Sequence, residues 1–285
     1  MPKLESLVHR LPPHAYFTVS AVFHYLGPSF AVLLFAHVGP LGVAWLRIAT
    51  AAVIFAVWRR PWHLWAAANA RTRTLIVSLG VTLALMNSTF YLAIDRMPLA
   101  TVAAIEFVAV IGLALIGVRT VRNVVALAVA VGGVFLLTGF QPSPDWLGLV
   151  FAIANAILFA AYVVLGHAIS RSSGTGGIGL LAAAMLVAMI VAFPIGLSEL
   201  APVLSFPILI LAGIGVGVSS SVIPYVCDQL AMARLPRATF ALMLTLLPAT
   251  AAVTGAVVLG QIPGWIDIAG IVLVAAGVGL HRLAE

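Results

Sequence analysis

The stretch Leu92-Ala-Ile-Asp-Arg-Met-Pro-Leu-Ala-Thr-Val-Ala-Ala-Ile105 returns 138 residues later as Leu230-Ala-Met-Ala-Arg-Leu-Pro-Arg-Ala-Thr-Phe-Ala-Leu-Met243, with seven of the fourteen positions identical. Apolar, alanine-rich segments match one another by chance. The aligned pairs Arg96/Arg234, Pro98/Pro236 and Thr101/Thr239 are not explained by alanine content. The spacing divides the chain into two halves that meet near Gln141-Pro-Ser-Pro144.

Working outward from these marks, apolar runs bounded by charges, Pro and Gly recur along the whole chain. They predict ten helices, at about 14–35, 40–58, 74–94, 99–118, 122–140, 146–168, 177–198, 204–230, 237–259 and 265–282. Runs of roughly 20 apolar residues have the length of a bilayer's hydrocarbon core. The composition agrees: of 285 residues 63% are hydrophobic and 8% charged, and the mean hydropathy is +1.20. So few charges cannot cover the surface of a water-soluble protein. The fold class expected is an all-α polytopic membrane protein, with no loop long enough for a soluble domain. Lys3 and Arg10 precede the first run as in a signal peptide, but the run continues to about Phe35 without a small-residue cleavage site, so a retained helix is expected.

The net charge of +6 invites a nucleic-acid reading, but the basic residues follow loop position instead. Alternate segments, counted from the N-terminus, hold Lys3, Arg10, Arg59, Arg60, Arg71, Arg73, Arg119, Arg122, Arg171, Arg234, Arg237 and Arg282, whereas the opposite side holds Arg96. Both termini are therefore expected in the cytoplasm. Five helices per half is an odd number, so the second half enters the bilayer from the opposite side, which matches Arg96 outside and Arg234 inside. The expected organisation is a cytoplasmic segment 1–13, a five-helix repeat 14–140, an external linker 141–145, an inverted five-helix repeat 146–282 and a cytoplasmic end 283–285. Inverted repeats are the architecture of secondary transporters, with the cargo bound near the midplane between the halves.

The chain resembles the drug/metabolite transporter superfamily in its EamA-type branch of ten-helix exporters. Gly148-Leu-Val-Phe-Ala-Ile-Ala-Asn-Ala-Ile-Leu-Phe-Ala-Ala-Tyr162 looks like the start of that family's second repeat, and Leu259-Gly260-Gln261 followed by Gly270 and Gly277 like its end. Within the branch it is most similar to threonine/homoserine exporters. The stretches that carry this are Gly42-Val-Ala-Trp-Leu-Arg47, Met86-Asn87, Phe90-Tyr91-Leu92, Ala104-Ile-Glu106-Phe107, Pro224-Tyr225, Arg234-Leu-Pro236 and Thr239-Phe240. The resemblance implies export of small amino acids or related metabolites from the bacterial cytoplasm, driven by the proton gradient. Gln261 departs from it, since the family usually has Glu there.

Arg47 and Glu106 are the charges read as lying well inside the spans. A charge there is expensive and faces a partner or a wet cavity. Each lies seven residues from the outer end of its helix, about 10 Å deep at 1.5 Å per residue, and Asn87 shares that level with Tyr91 one turn above. Two readings stay open. Arg47–Glu106 is a structural ion pair tying helices two and four, or the two line the pathway with Glu106 as the proton-coupling carboxylate. In the second reading Arg47 and Glu106 take the two ends of an amino acid, with Asn87 and Tyr91 adding hydrogen bonds. Their counterparts one repeat later are Met185, Leu244, Tyr225 and Gln229. His24, mid-span in the first helix, reads as a core histidine or a proton relay. Asn155 and Tyr162 read as cargo contacts or bridges between helices. Asp228, close to Arg234, reads as an interfacial charge in preference to a cavity-floor acid.

Pro28, Pro194, Pro224 and Pro248 interrupt spans and free backbone carbonyls. Gly213, Gly215 and Gly217 favour close approach of helix eight to a neighbour within the bundle. Gly174-Thr-Gly-Gly-Ile-Gly179 matches a dinucleotide fingerprint without the strand that fold requires, and reads as a linker. Neither a metal nor a cofactor is expected, with a single Cys227 and seven scattered histidines. An intramembrane enzyme would need a nucleophile–base set that the sequence does not offer. The partners expected are a small-molecule cargo, protons and the lipid bilayer, with no nucleic acid. Export of amphipathic drugs or other metabolites by the same mechanism is the alternative, and a channel is the alternative of another class.

Overall fold

A computed structural model describes residues 12–117, 120–139, 145–171, 177–235, 240 and 247–280. The linker 141–144, the terminal segments 1–11 and 281–285, Gly174–Gly176 of the fingerprint-like loop, and Pro236–Thr239 and Ala241–Met243 of the repeated stretch lie outside them. Among the described residues the order is α1 Pro13–Leu34, α2 Pro40–Arg59, α3 Ala70–Ile94, α4 Leu99–Gly117, α5 Val121–Gly139, α6 Trp146–Ser170, α7 Ile178–Gly196, α8 Pro207–Arg234, α9 Leu247–Leu259 and α10 Trp265–Leu280. Short helices Pro61–Ala67 and Ala201–Ser205 lie in the connections; the first falls where a loop is expected, and the second straddles the expected start of the eighth span at 204. Six helices (α1, α2, α3, α6, α7 and α8) have the length and composition to cross a bilayer within the described residues.

Helix starts follow local chemistry. Pro13, Pro40 and Pro207 open α1, α2 and α8 at positions whose missing N–H costs nothing. Asn69 and Asp145 cap α3 and α6 by accepting from the amides of Thr72 and Gly148, each at 2.9 Å. In hydrocarbon every backbone group needs an internal partner, which is why spans of this kind are helical.

The chain alternates direction from helix to helix. At one end Gly42 N–H donates to Glu199 at 2.9 Å, Leu99 N–H donates to Gln261 at 3.2 Å, and Arg96 pairs with Asp145 at 3.2 Å. At the other, Arg122 donates to the carbonyl of Leu280 at 2.6 Å and Phe17 meets Phe240 edge-on. The first end carries Asp95, Asp145, Glu199 and Asp267 with Arg96; the second carries Arg59, Arg60, Arg71, Arg73, Arg122, Arg171 and Arg234.

The principal helix contacts keep their pattern when each helix is exchanged for the one five places on. Contact of α3 with α6 is matched by α8 with α1, α3 with α7 by α8 with α2, and α4 with α6 by α9 with α1. The self-matched pairs α2·α7 and α5·α10 are in contact too, and both run antiparallel. In α5·α10 the backbones touch: a Cβ on Gly133 would sit 2.6 Å from the carbonyl oxygen of Gly270, and one on Gly270 2.9 Å from that of Gly133. Gly213 and Gly217 of α8 lie against Leu46 and Thr50 of α2, as a close approach inside the bundle requires, whereas Gly215 faces open space.

Large apolar side chains point outward, among them Val57, Phe135, Ile157, Ile190, Leu211 and Val257. Arg47, Glu106, Asp228, Asn87, Asn155 and Gln229 are buried inside. Apolar surface around a polar interior is the distribution of a protein solvated by lipid. The protein is an all-α polytopic membrane protein.

Candidate functional site

The buried polar groups form one connected region where α1, α2, α3, α4, α6 and α8 meet. Glu106 on α4 accepts from Tyr25 Oη of α1 at 2.8 Å and from Asn155 Nδ2 of α6 at 2.6 Å. Its two oxygens are thus held by neutral donors from two other helices.

Arg47 on α2 is held elsewhere. Its Nε donates to Ser221 Oγ and its Nη2 to the backbone carbonyl of Ser220, both at 2.6 Å. Local sequence explains why that carbonyl lacks its α-helical donor. Pro224 stands four residues after Ser220 and has no N–H to give it. Around it α8 widens into a π turn over Val218–Val222, in which Ile223 N–H bonds back to Val218. π turns recur at functional sites in helices. Gly27 of α1 allows the close fit there, since a Cβ at that position would collide with the Ser220 side chain. The guanidinium carbon of Arg47 also lies 5.4 Å from the Tyr91 ring centre and 6.0 Å from that of Tyr225, within cation–π range.

Arg47 and Glu106 make no ion pair; among the described residues the ion pair present is Arg96–Asp145. The structural-pair reading of Arg47–Glu106 is therefore corrected. Equal depth is one coordinate, and the rotation of α2 and α4 turns the two side chains to different partners.

Asn87 Nδ2 donates to Tyr225 Oη at 3.0 Å and to Leu83 O at 2.6 Å. The Tyr225 ring packs on Tyr162 with centroids 5.6 Å apart, and Tyr162 Oη donates to Asp228 Oδ2 at 2.9 Å. Asp228 Oδ1 accepts from Ser20 Oγ of α1. The expectation of an interfacial Asp228 is overturned: the residue is 5% exposed and bonded inside the bundle. His24 is a core residue whose ring stands edge-on to Tyr25 and Phe159. Tyr91 Oη, Asn155 Oδ1 and both amide atoms of Gln229 are buried without a hydrogen-bond partner among the described residues.

All eight residues singled out from sequence (Arg47, Glu106, Asn87, Tyr91, His24, Asn155, Tyr162 and Tyr225) are buried. The structure joins Glu106 to Asn155, Arg47 to Tyr91 and Tyr225, and Tyr225 to Asn87 and Tyr162. Sequence reasoning missed Ser20, Tyr25, Ser220 and Ser221, although the run Ser219-Ser220-Ser221 ahead of Pro224 marked the opening in α8. Among the described residues no cluster of three or more His, Cys, Asp or Glu could hold a metal.

Gln261, where a Glu was expected, accepts from the first amide of α4 through its side-chain oxygen. That contact needs an acceptor and no charge.

Comparison with known proteins supplies the family. The EamA-like transporter family matches residues 146–282. The threonine/homoserine exporter RhtA of Salmonella typhimurium (strain LT2) is 31% identical over 257 residues, covering 89% of this chain and 85% of its own. That of Escherichia coli (strain K12) is 32% identical over 238 residues, covering 82% and 79%. A crystal structure of a protein 14% identical superimposes with a TM-score of 0.62 over 94% of this chain and 96% of the other, a likeness of fold. With these relatives and the lipid-solvated helical fold, the chain belongs to the EamA-like transporter family and is an integral membrane transporter, not an enzyme.

Proposed function

We propose that the protein is a secondary active exporter of small amino acids of the threonine and homoserine kind, coupled to protons and working by alternating access. The observation that carries this reading is the separation of Arg47 from Glu106. Each is buried, and each is held by neutral groups instead of by the other. A zwitterion has one anionic and one cationic end, and a site for it needs an Arg and a carboxylate that do not neutralise each other. The RhtA exporters, named for threonine and homoserine, support the cargo class.

Glu106 is the coupling carboxylate in this reading. Tyr25 and Asn155 cradle it without a fixed cation, so a proton and an ammonium can compete for it. Tyr91 Oη and Asn155 Oδ1 are buried without partners among the described residues, so the hydroxyl can donate to the cargo and the amide oxygen can accept from it. The contact pattern that survives a five-helix exchange, with α2·α7 and α5·α10 antiparallel, favours two inverted repeats related by an axis in the membrane plane. Two such halves open to either side at similar energy. The basic end of the bundle is assigned to the cytoplasm, and with it both termini.

The test is uptake of labelled threonine and homoserine into proteoliposomes with and without an imposed pH gradient. Saturable, gradient-dependent accumulation is expected. Absence of uptake in vesicles holding folded protein would remove the amino-acid assignment, and flux that never saturates would point to a channel.

A further inference from the structure

We propose that Asp228, Ser20 and Tyr162 form a second cation site of the transport pathway, which holds in turn a proton and the ammonium group of the cargo, nearer the basic end than Glu106. The ammonium half of this statement rests on the amino-acid reading above; the proton half does not.

The two carboxylates are built alike. Glu106 takes one donor from α1 (Tyr25) and one from α6 (Asn155), and Asp228 takes one from α1 (Ser20) and one from α6 (Tyr162). α1 and α6 correspond under the five-helix exchange and approach each other from opposite ends. Ser20 precedes Tyr25 by five residues on α1 and Tyr162 follows Asn155 by seven on α6, so the carboxylates sit about 8–10 Å apart along the bundle at 1.5 Å per residue. The step runs towards the end where α1 begins and α6 finishes, the basic end.

No cation touches Asp228. From α6 it faces Tyr162, and along α8 its titratable neighbours are Tyr225 and Cys227. α1 gives it Ser20, Arg47 of α2 is engaged by Ser220 and Ser221, and the Arg234 guanidinium lies 5.3 Å from the Tyr16 ring centre. A carboxylate buried without a counter-charge is costly unless a cation visits it. Next to it Gln229 keeps both amide atoms buried and unpartnered among the described residues, while its side chain faces Gly166, one turn from Tyr162 on α6. Gln229 stands 138 residues after Tyr91, whose hydroxyl is also unpartnered. The two halves thus carry an unsatisfied polar group at the same position of the repeat.

The experiment uses the full chain in lipid nanodiscs, with infrared difference spectra between acidic and alkaline buffer for the wild type, Asp228→Asn and Glu106→Gln. Beyond the bands of the exposed acids, two buried carboxyl C=O signals are expected, one lost in each variant. Tyr162→Phe, which removes a single donor, is expected to keep the Asp228 signal and move its midpoint. A spectrum of Asp228→Asn identical to the wild type, in protein with wild-type gel-filtration behaviour, overturns the second site whatever the cargo. Addition of threonine at fixed pH is then expected to release protons, and Asp228→Asn to bind it at least tenfold more weakly with Asp228→Glu restoring binding. Equal affinity and proton release in Asp228→Asn overturn the ammonium role. Threonine that leaves the wild-type spectrum unchanged strikes the amino-acid reading, while the titration still decides whether Asp228 carries a proton.

Discussion

Asn87 and Tyr225 hydrogen-bond at 3.0 Å, and they are 138 residues apart, the same offset at which the Leu92 stretch returns at Leu230. Two residues at equivalent positions of a repeat can touch where the axis relating the repeats passes between them. In the inverted arrangement proposed above, this contact marks that axis. Beside it lie the Arg47 guanidinium, 6.0 Å from the Tyr225 ring centre, and the Tyr162 ring. Motion that exchanges the conformations of the two halves leaves the axis in place, so Asn87–Tyr225 is expected to persist through the cycle while its neighbours change partners.

Tyr225→Phe strips the Asn87 amide oxygen of its donor in a buried setting, at a cost of about 1–3 kcal/mol. Replacing both partners by apolar groups, as in Asn87→Leu with Tyr225→Phe, restores much of that stability, because no polar atom is then left unpaired. Thermal unfolding in detergent should rank the wild type and the double variant above Tyr225→Phe. An unfolding midpoint of Tyr225→Phe equal to the wild type would show that the bond contributes nothing to the fold.

Arg47→Lys keeps the charge but loses the fork that reaches Ser221 Oγ and Ser220 O together, a loss of about 1.5–3 kcal/mol per charge-assisted bond. Transport at low cargo concentration is expected to fall at least tenfold, and to recover in part as cargo concentration is raised. Pro224→Ala attacks the same docking point from the other side, by returning an N–H to α8 near the Ser220 carbonyl. It should reproduce the Arg47→Lys defect with the charge intact. Full transport in Pro224→Ala would mean that the opened carbonyl is not what holds Arg47.

The fold was readable because its signals are one-dimensional. Apolar runs and their Pro and Gly borders placed most helices within a few residues of those observed, from Pro13–Leu34 to Trp265–Leu280, while the expected start of the ninth, at 237, lies outside the described residues. Burial was readable in the same way, and the polar residues singled out within the spans are all buried. Partnership was not, because it depends on how each helix is rotated. Asp228 shows why. Arg234 is six residues on, an apparent neighbour, but six residues turn a helix through about 600°, leaving the side chains on different faces. Asp228 meets Ser20 and Tyr162, and Arg234 lies over Tyr16. The π turn escaped for a related reason: the serines and Pro224 signalled a weak ladder, but the residue that exploits it comes from α2.

Asp145 provides a pH prediction outside the spans. Its carboxylate accepts from Gly148 N–H at the start of α6 and pairs with Arg96, and these contacts hold it below the ordinary aspartate value of 3.8. A folded-state value below the unfolded one gives stabilisation that is complete above the unfolded value and lost as pH falls through the folded one. Asp145→Asn keeps an oxygen for the cap and loses the charge. It should therefore melt below the wild type near neutral pH, with the two curves converging in strong acid. A constant gap at every pH would assign the difference to something other than this charge. The pair is exposed, so added salt should narrow the gap.

The separation of Arg47 from Glu106 determines what a double variant does. Had the two formed a buried pair, removing either would leave the other uncompensated, and Arg47→Ala would be rescued by also neutralising Glu106. They are instead anchored independently, Arg47 on Ser220 and Ser221, Glu106 on Tyr25 and Asn155. Glu106→Gln can keep one oxygen to accept from Tyr25 or Asn155 and should fold, yet lose gradient-driven transport at every pH. Arg47→Ala should weaken cargo binding and lower stability through the abandoned α8 carbonyl. The double variant should lose stability close to the sum of the two effects, apart from the charge interaction between the sites, and should not show the rescue expected of a broken pair. Unfolding midpoints of the four proteins, measured with homoserine exchange in the same vesicles, check this. Recovery of stability in the double variant would show that the two charges do meet in the membrane, and that the site holds a structural pair instead of two ends waiting for a zwitterion.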